Sequence, residues 1–427
     1  LNRPPHEANV AEQTEHSING GGLKFDYFSP NENHRFNVFA SAQHINRDSY
    51  YGPGDRDPLD AYGNTTDLNW MAGSQYVYSF GKCIFMPSDL TAGIEFNQDK
   101  LEDNMWGYNR TVDQKVNIGS AFLQNEWKND HWGFLIGGRL DKHNLINHVI
   151  FSPRANLRYN PTENINLRFS YSSGFRAPQA FDEDLHVENV GGNVAMVELA
   201  DNLKEERSQS LSASADIYHR FGAFQVNFLV EGFYTKLSDV FALTDGEVVD
   251  GILTRTRHNA SGAQVLGLTL EGKMAYLNKI QVQAGVTLQQ SHYSKPHIWN
   301  KEAPAVKKMM RTPNTYGYFT ATYTPIKPLS IALSGTYTGS MLVPHEPVPG
   351  FLENPITVNT KDFFDIGLKA AYDFKLYKSM NLQLNAGIQN IFNAYQDDFD
   401  KGADRDSGYI YGPSLPRSFF AGVKISY

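Results

Sequence analysis

The chain of 427 residues lacks the features that mark three large classes of protein. Its single cysteine, Cys83, excludes an intramolecular disulfide and a metal site built on paired thiols. No window approaches the run of about 18 apolar residues that a transmembrane helix needs. The formal net charge of −8 provides no basic excess, so no nucleic-acid partner is expected.

What the chain has instead is one-by-one alternation of apolar and polar residues. In residues 280–289 and 419–427 apolar side chains alternate with mainly polar or small ones, the period of a β-strand. The segments run about ten residues, the length that a tilted strand needs to cross a bilayer. The pattern predicts an all-β fold, an antiparallel transmembrane β-barrel with an apolar outer face and a polar lumen.

A third alternating segment, residues 380–389, predicts which single positions face the lumen and which face lipid. Asn381, Gln383 and Asn385 should face the lumen, while Leu382 and Leu384 should face lipid.

The connections between the strands alternate in length. About 17 strand candidates are separated by eight short connections and eight long ones, as in outer-membrane barrels with periplasmic turns and extracellular loops. The long connections are expected near Arg47–Thr66, Lys100–Asp113, Asp141–His148, Arg176–Leu203, Asp239–Gly262, His292–Thr312, Leu342–Asp362 and Asn393–Pro416.

This order places Leu1–Glu15 in the tail of an extracellular loop, ahead of a first strand near Ser17–Tyr27. Single-chain bacterial barrels have an even number of strands and closed walls. We therefore expect strands upstream of Ser17–Tyr27, and no pairing between that strand and the final strand, Phe419–Tyr427.

Five motifs lie within roughly the last 270 residues: Tyr171–Pro178 (Y-S-S-G-F-R-A-P), Asn202–Glu206 (N-L-K-E-E), Asn259–Glu271, Asn385–Tyr395 and the C-terminal run Tyr411–Tyr427. In this order they resemble the motifs of TonB-dependent outer-membrane receptors. The departures are small: Glu205 stands where the family usually has Pro, Thr269 replaces an acidic residue, and Tyr427 replaces a terminal Phe.

The resemblance implies a barrel of 22 strands, closed by an N-terminal plug that carries the TonB-contacting segment. Residues 1–427 would then be the C-terminal portion of the barrel domain, with about 17 of the strands and no plug. The implied partners are TonB through that absent plug, the barrel-assembly machinery through Tyr427, and outer-membrane lipid and lipopolysaccharide. The implied location is the outer membrane of a Gram-negative bacterium.

The function that follows is high-affinity capture and active, TonB-dependent import of a scarce metal chelate: a siderophore, haem or cobalamin. The alternative is a passive porin or a structural barrel, because porins have about 16–18 strands. Enzyme activity is not expected, since no motif sets a nucleophile beside a base and an orienting group. The sequence leaves the ligand open.

The candidate ligand-binding residues are Arg176, Phe181, Asp182, His186 and Trp299. In haem receptors of the family a histidine between two such motifs ligates iron, so His186 is a metal ligand only if the cargo is haem. Arg176 suits an anionic ligand and Trp299 a planar one. The competing interpretations are an ordinary polar loop residue for His186, a loop-pinning ion pair for Arg176, and loop packing for Trp299.

No resident cofactor is expected. The acidic run Asp397–Asp406 imitates a calcium loop in its spacing, but it lacks the closing glutamate of an EF-hand. The acids between Asp48 and Asp60 offer a second option for Ca²⁺ in the extracellular loops.

Overall fold

A computed structural model describes residues 4–8, 10–53, 57–181, 185, 187–190, 193–249, 252–377, 379–402, 405–413 and 415–427. Strands dominate it. The described residues include three 3₁₀ turns, Pro5–Glu7, Pro58–Ala61 and Trp106–Tyr108. No helix in the described ranges is long and apolar enough to cross a membrane.

The strands, in chain order, are β1 (Val10–Phe28), β2 (His34–Pro53), β3 (Tyr62–Cys83), β4 (Met86–Met105), β5 (Arg110–Lys128), β6 (Trp132–His143), β7 (Ile150–Thr162), β8 (Ile165–Arg176), β9 (Glu188–Val190), β10 (Asn193–Leu199), β11 (Glu206–Phe221), β12 (Phe224–Ser238), β13 (Phe241–Val249), β14 (Ile252–Asn259), β15 (Ala263–Tyr276), β16 (Ile280–His297), β17 (Val306–Lys308), β18 (Thr315–Ile326), β19 (Leu329–Thr338), β20 (Leu342–His345), β21 (Ile356–Asn359), β22 (Phe363–Tyr377), β23 (Met380–Gln389) and β24 (Ser418–Ser426).

One sheet of 18 strands forms the wall. Each wall strand pairs antiparallel with the next one along the chain, and β8 to β11, β12 to β15 and β19 to β22 are joined across inserted segments. One of the 18, the three-residue β17, is only a short segment beside β16, so 17 strands form the wall. The predicted all-β antiparallel meander and its strand number are confirmed.

The two ends of the sheet do not meet. Among the described residues, β1 pairs only with β2 and β24 pairs only with β23. The expected lack of pairing between Ser17–Tyr27 and Phe419–Tyr427 is therefore observed.

The wall has one apolar and one polar face, as the alternation predicts. On the polar face of β22 and β23, Gln383 Nε2 donates to Asp373 Oδ1 at 2.9 Å. On the other face, Leu384 and Val423 are 44% and 67% exposed. Exposed apolar side chains recur on this face along the sheet, which is the surface that a bilayer would cover.

The first five strands are longer than predicted. They have 19 to 22 residues, whereas about ten suffice to cross a bilayer. The predicted loops at 47–66 and 100–113 are mostly strand, and residues 10–15 belong to β1 rather than to a loop tail. These extensions mix polar and apolar residues on one face, as in Leu101, Asp103 and Met105, so the alternation that revealed the wall fades while the backbone pairing continues.

The long loops gather at one end of the wall, here called the long-loop end, and fold into structure of their own. β9, β10, β13 and β14 form a four-stranded sheet in which β10 runs parallel to β14, and β20 pairs with β21. A buried cluster of Tyr51, Met105, Tyr108, Val187 and Met196 packs these segments onto the wall extensions. The loops therefore form an ordered cap with a small core.

Because neighbouring positions of β23 lie on opposite faces, they should differ in their access to water. In a background with Cys83→Ser, we expect Gln383→Cys in outer membranes to react with a membrane-impermeant thiol reagent at least several times faster than Leu384→Cys. The reason is that lipid would cover position 384 and water would reach position 383. Equal labelling rates, or faster labelling at 384, would contradict the assignment of the faces.

Candidate functional site

A cavity of about 570 Å³ lies at the long-loop end, between the β13–β14 hairpin and the loops that follow β16 and β19. Among the described residues that line it, four arginines and one glutamate carry charge. The residues around it are Arg176, Val197, Phe241, Ala242, Leu243, Arg255, Arg257, His297, Trp299, Met310, Arg311, Pro344 and Glu346.

Arg176 enters the cavity because it is the last residue of β8, where the wall strand gives way to a long loop. Its Cζ lies 3.9 Å from the centre of the Phe181 ring and 5.6 Å from that of Phe241. Its Nη1 is 4.0 Å from Glu206 Oε2, the cross-strand partner on β11. The guanidinium thus lies against two aromatic faces, which attract cations.

A second guanidinium shares the same two rings. Arg257, on β14 and 6% exposed, has its Cζ 5.9 Å from the Phe181 centroid and 5.8 Å from the Phe241 centroid. Two guanidinium groups therefore lie beside the same pair of aromatic rings, where one anion could contact both.

Arg255 and Arg257 reach the cavity together because residues two apart on a strand share a face. Arg255 Nη2 lies 3.8 Å from Glu346 Oε1, and Glu346 Oε2 accepts from Asn300 Nδ2 at 2.8 Å. Glu346 thus lies beside Arg255 and ties the loop after β20 to the loop after β16.

Arg311 reaches the cavity from the loop that follows β17. It has a left-handed backbone with φ 55°, and its guanidinium donates to the carbonyl oxygens of Gly408 and Ile410, the latter at 2.8 Å. These bonds hold the last long loop against the cavity.

Trp299 and His297 add aromatic surface. Trp299 Nε1 is buried and has no hydrogen-bond partner within the described part of the chain, so it is a donor available to a ligand. Burial, together with the neighbouring His258, lowers the pKa of His297, so its ring is neutral at neutral pH. The arginines, rather than this histidine, therefore set the positive charge of the cavity.

Three of the five predicted ligand-binding residues come together here. Arg176 and Trp299 line the cavity, and Phe181 stacks on Arg176. Asp182 and His186 lie outside the described residues, so their predicted roles, including haem ligation by His186, stay predictions.

The sequence analysis did not predict a ligand-binding role for four residues that line the cavity, Arg255, Arg257, Arg311 and Phe241. The Arg-Thr-Arg spacing of residues 255–257 could have revealed two cations on one strand face. Nothing local marks Arg311, because its position depends on contacts with a loop almost 100 residues further along the chain.

The loop that carries Phe181 is anchored by a buried ion network. Asp103 is fully buried, and its Oδ2 lies 2.7 Å from Arg110 Nη2 while its Oδ1 lies 3.6 Å from Arg47 Nη2. Thr65 Oγ1 also donates to Asp103 Oδ1 at 2.6 Å. Arg110 then donates to the carbonyl oxygen of Leu185 at 2.8 Å, which links the loop to the wall extension.

We expect Asp103→Ala to loosen the cap without disrupting the wall. Two buried guanidinium groups would lose this carboxylate, and breaking such a pair costs about 3–5 kcal/mol. Hydrogen exchange should therefore accelerate at the tops of β4 and β5 and near residue 185. Asp48→Asn is the matched control, because Asp48 bonds to Asn64 at an exposed position. Equal exchange in the two variants would show that the network does not support the loop.

Two of the acidic residues proposed for Ca²⁺ have other partners, while Asp55 and Asp404 lie outside the described residues. Asp398 accepts from the hydroxyls of Tyr409 and Tyr411, and Asp400 Oδ2 lies 2.9 Å from His345 Nε2. Burial and Asp398 raise the pKa of Tyr409 to about 12. No group of three or more His, Cys, Asp or Glu suited to a metal occurs in the ranges that the structure describes. Calcium binding stays a prediction.

The fold and the cavity together define a class: a large antiparallel barrel wall with a cationic, aromatic cavity in its loop cap. The chain belongs to the family described as TonB dependent receptor-like, beta-barrel, which it matches over residues 6–391. Members of this family are receptors and transporters of the bacterial outer membrane and generally not enzymes. No curated protein matches the chain in sequence.

Solved siderophore receptors share the fold. The ferric-catecholate import receptor Fiu of E. coli K12 superimposes with a TM-score of 0.69 at 13% identity, over 96% of this chain and 64% of that one. The siderophore receptor PirA of Acinetobacter baumannii gives 0.71 at 14%, over 96% and 62%. A variant of the ferric enterobactin receptor PfeA of Pseudomonas aeruginosa, in complex with enterobactin, gives 0.70 at 15%, over 96% and 62%. The chain thus spans less than two thirds of each of these receptors.

Proposed function

We propose that the chain forms the ligand-capturing barrel of an outer-membrane receptor that imports an anionic ferric chelate of the catecholate type, with energy supplied through TonB. The observation that carries the proposal is the convergence of four arginines and three aromatic residues, Phe181, Phe241 and Trp299, at the long-loop end. The long loops of such barrels face the cell exterior.

Charge is the first argument for this ligand class. Ferric complexes of three catecholates are anionic, whereas ferric trihydroxamates carry little or no net charge. Cationic side chains in a partly desolvated cavity stabilise the first kind far more than the second. Among the described residues that line the cavity, four arginines stand beside one glutamate, so cationic groups predominate there.

Shape is the second argument. Catecholate rings are flat and aromatic, and they can stack on Trp299 or on the guanidinium planes that already stack on Phe181 and Phe241. Trp299 Nε1 would donate to a ligand oxygen. The names of the solved relatives, a ferric-catecholate receptor and a ferric enterobactin receptor, support the same ligand class.

Equilibrium binding of a ligand panel tests the proposal. We expect a ferric tricatecholate to bind more tightly than a ferric trihydroxamate, haem or cobalamin. The variant Arg255→Ala/Arg257→Ala should weaken tricatecholate binding at least tenfold, since each lost cation removes a charge-assisted contact. Arg158→Ala is the control, because Arg158 donates to the carbonyl oxygen of Asn129 at the short-turn end. Equal affinity for charged and neutral chelates would refute the ligand class.

The alternative function is a passive porin or a structural barrel. A porin would need neither tight binding nor inner-membrane energy, so uptake of labelled ferric chelate is measured in cells with and without TonB. Uptake that is the same in both strains would favour the porin.

A further inference from the structure

A second cavity of the cap, about 730 Å³ in volume, lies between the start of β5 and the end of β10. It contacts residues 109–115 and residues 197–201, each a run of consecutive positions. Successive side chains of a strand point to opposite faces, so a cavity that meets all of them lies at the edge of the strand rather than over one face. We call the space between these two runs the edge slot.

The edge of β5 that borders the slot lacks a neighbouring strand in the described part of the chain. β5 pairs with β4 from Arg110 onward, but its pairing with β6 begins only at Ile118. Asn144, just after β6, covers the next positions by its side chain. Its Oδ1 accepts from the N–H of Asn117 at 2.8 Å, and its Nδ2 donates to the carbonyl oxygen of Lys115 at 2.7 Å.

These two contacts show which residues of β5 direct their backbone groups into the slot. In a strand, the N–H and C=O of one residue point to one edge, and those of the next residue point to the other edge. Since Asn117 and Lys115 bond on the β6 side, Asp113 and Thr111 present their backbone groups to the same side. β5 thus offers the N–H and C=O groups of two residues to the slot.

The edge of β10 is open in a similar way. One edge of β10 pairs in parallel with β14, and the other pairs with β9 only through residues 193–195, as far as the described ranges extend. The N–H of Ala200 donates to the carbonyl oxygen of Arg257 on β14 at 2.9 Å. By alternation, Leu199 and Val197 present their backbone groups to the opposite edge, which borders the slot.

Two strand edges that face one space can pair with a further strand between them. Such a strand would bond to β5 on one side and to β10 on the other, and it would join the wall sheet to the sheet of the cap. Recognition of this kind gains its affinity from main-chain hydrogen bonds, while the side chains at the rim select the sequence.

The rim of the slot favours a cationic segment. Asp113, Glu198 and Asp201 are exposed carboxylates that line it, and Lys115 is an exposed ammonium. Arg110 also lines the slot, but it is buried and a carboxylate of the wall already binds it. Among the described charges that an incoming segment would meet, carboxylates therefore predominate, and cationic side chains complement them.

We propose that the edge slot binds an extended cationic peptide as an added strand. The backbone of the peptide bonds to β5 and β10, and its lysine or arginine side chains lie beside the carboxylates of the rim. Under the proposed orientation the long loops face the exterior, so the peptide comes from outside the cell. The inference goes beyond chelate import, since it uses two backbone edges rather than the arginines of the first cavity.

Binding of three fluorescent hexapeptides to the protein purified from outer membranes tests the proposal. The first peptide alternates valine with lysine, the second is the same peptide with N-methylated valines, and the third alternates valine with glutamate. We expect the first to bind at least about tenfold more tightly than either of the others. N-methylation removes the donors of one peptide edge, and each backbone hydrogen bond contributes about fivefold in affinity. Equal binding of the first two peptides would overturn the proposal.

Thr111→Pro tests the β5 edge directly. Proline removes the N–H that points to the slot, and the ladder with β4 stays intact because residue 111 does not donate to β4. We expect the valine–lysine peptide to bind about fivefold more weakly, in low salt and in high salt alike. Thr111→Val is the matched control: it keeps the N–H and the shape of the side chain, so affinity should change less than about twofold. Unchanged affinity in Thr111→Pro would contradict an added strand at this edge.

Glu198→Gln/Asp201→Asn tests the charge of the rim. Loss of two exposed carboxylates should weaken binding of the valine–lysine peptide about fivefold at low salt, and the difference should vanish near about 0.5 M salt, where surface charges are screened. The control Glu302→Gln/Glu353→Gln removes the same charge from exposed positions in other long loops. Equal weakening by the two double variants would show an effect of overall charge and would overturn the proposal.

A second copy of the chain is the competing occupant. If the unmodified protein self-associates in sedimentation experiments and Thr111→Pro stays monomeric, the slot binds another copy and the peptide proposal is wrong. Melting curves followed by circular dichroism should match between each variant and its control, so that weaker binding does not reflect unfolding. Peptide binding by a protein that binds no ferric chelate would refute the proposed function and leave the edge slot standing. The reverse result would refute the edge slot alone.

Discussion

Pairing of the backbone within the wall is the constraint on which the rest of the structure depends. A chain that crosses hydrocarbon must satisfy every N–H and C=O internally, and a meander of antiparallel strands does so between neighbours. Once the register of one pair is fixed, alternation assigns each side chain to lipid or lumen. The ladder from β1 to β24 transmits that assignment across the whole sheet.

Beyond the apolar belt the same ladders serve a different purpose. β2 to β5 continue well past the length that lipid requires, and their buried ends hold Asp103 between Arg47 and Arg110. The extensions therefore act as a rigid support for the loop that carries Phe181. A cavity formed by mobile loops alone would lose more entropy on binding, and this support reduces that cost.

The sequence predicts the wall well and the cavity only in part. Period-two alternation is a local signal, so strand number, order and faces follow from it. Arg176 and Trp299 were found because one lies in a motif and the other is a conspicuous aromatic. Arg311 was not, since its contacts with Gly408 and Ile410 arise from the packing of distant loops. The strand extensions were missed because polar residues interrupt their apolar face, as Asp103 does between Leu101 and Met105.

The cavity shows how a chain with a net charge of −8 can still gather cationic side chains at one place. Part of this gathering runs along a strand, where residues two apart, Arg255 and Arg257, share a face. Composition does not reveal the cavity, because the cavity depends on which positions share a face and on which loops pack together. Strand alternation and loop packing therefore decide jointly which side chains line the long-loop end.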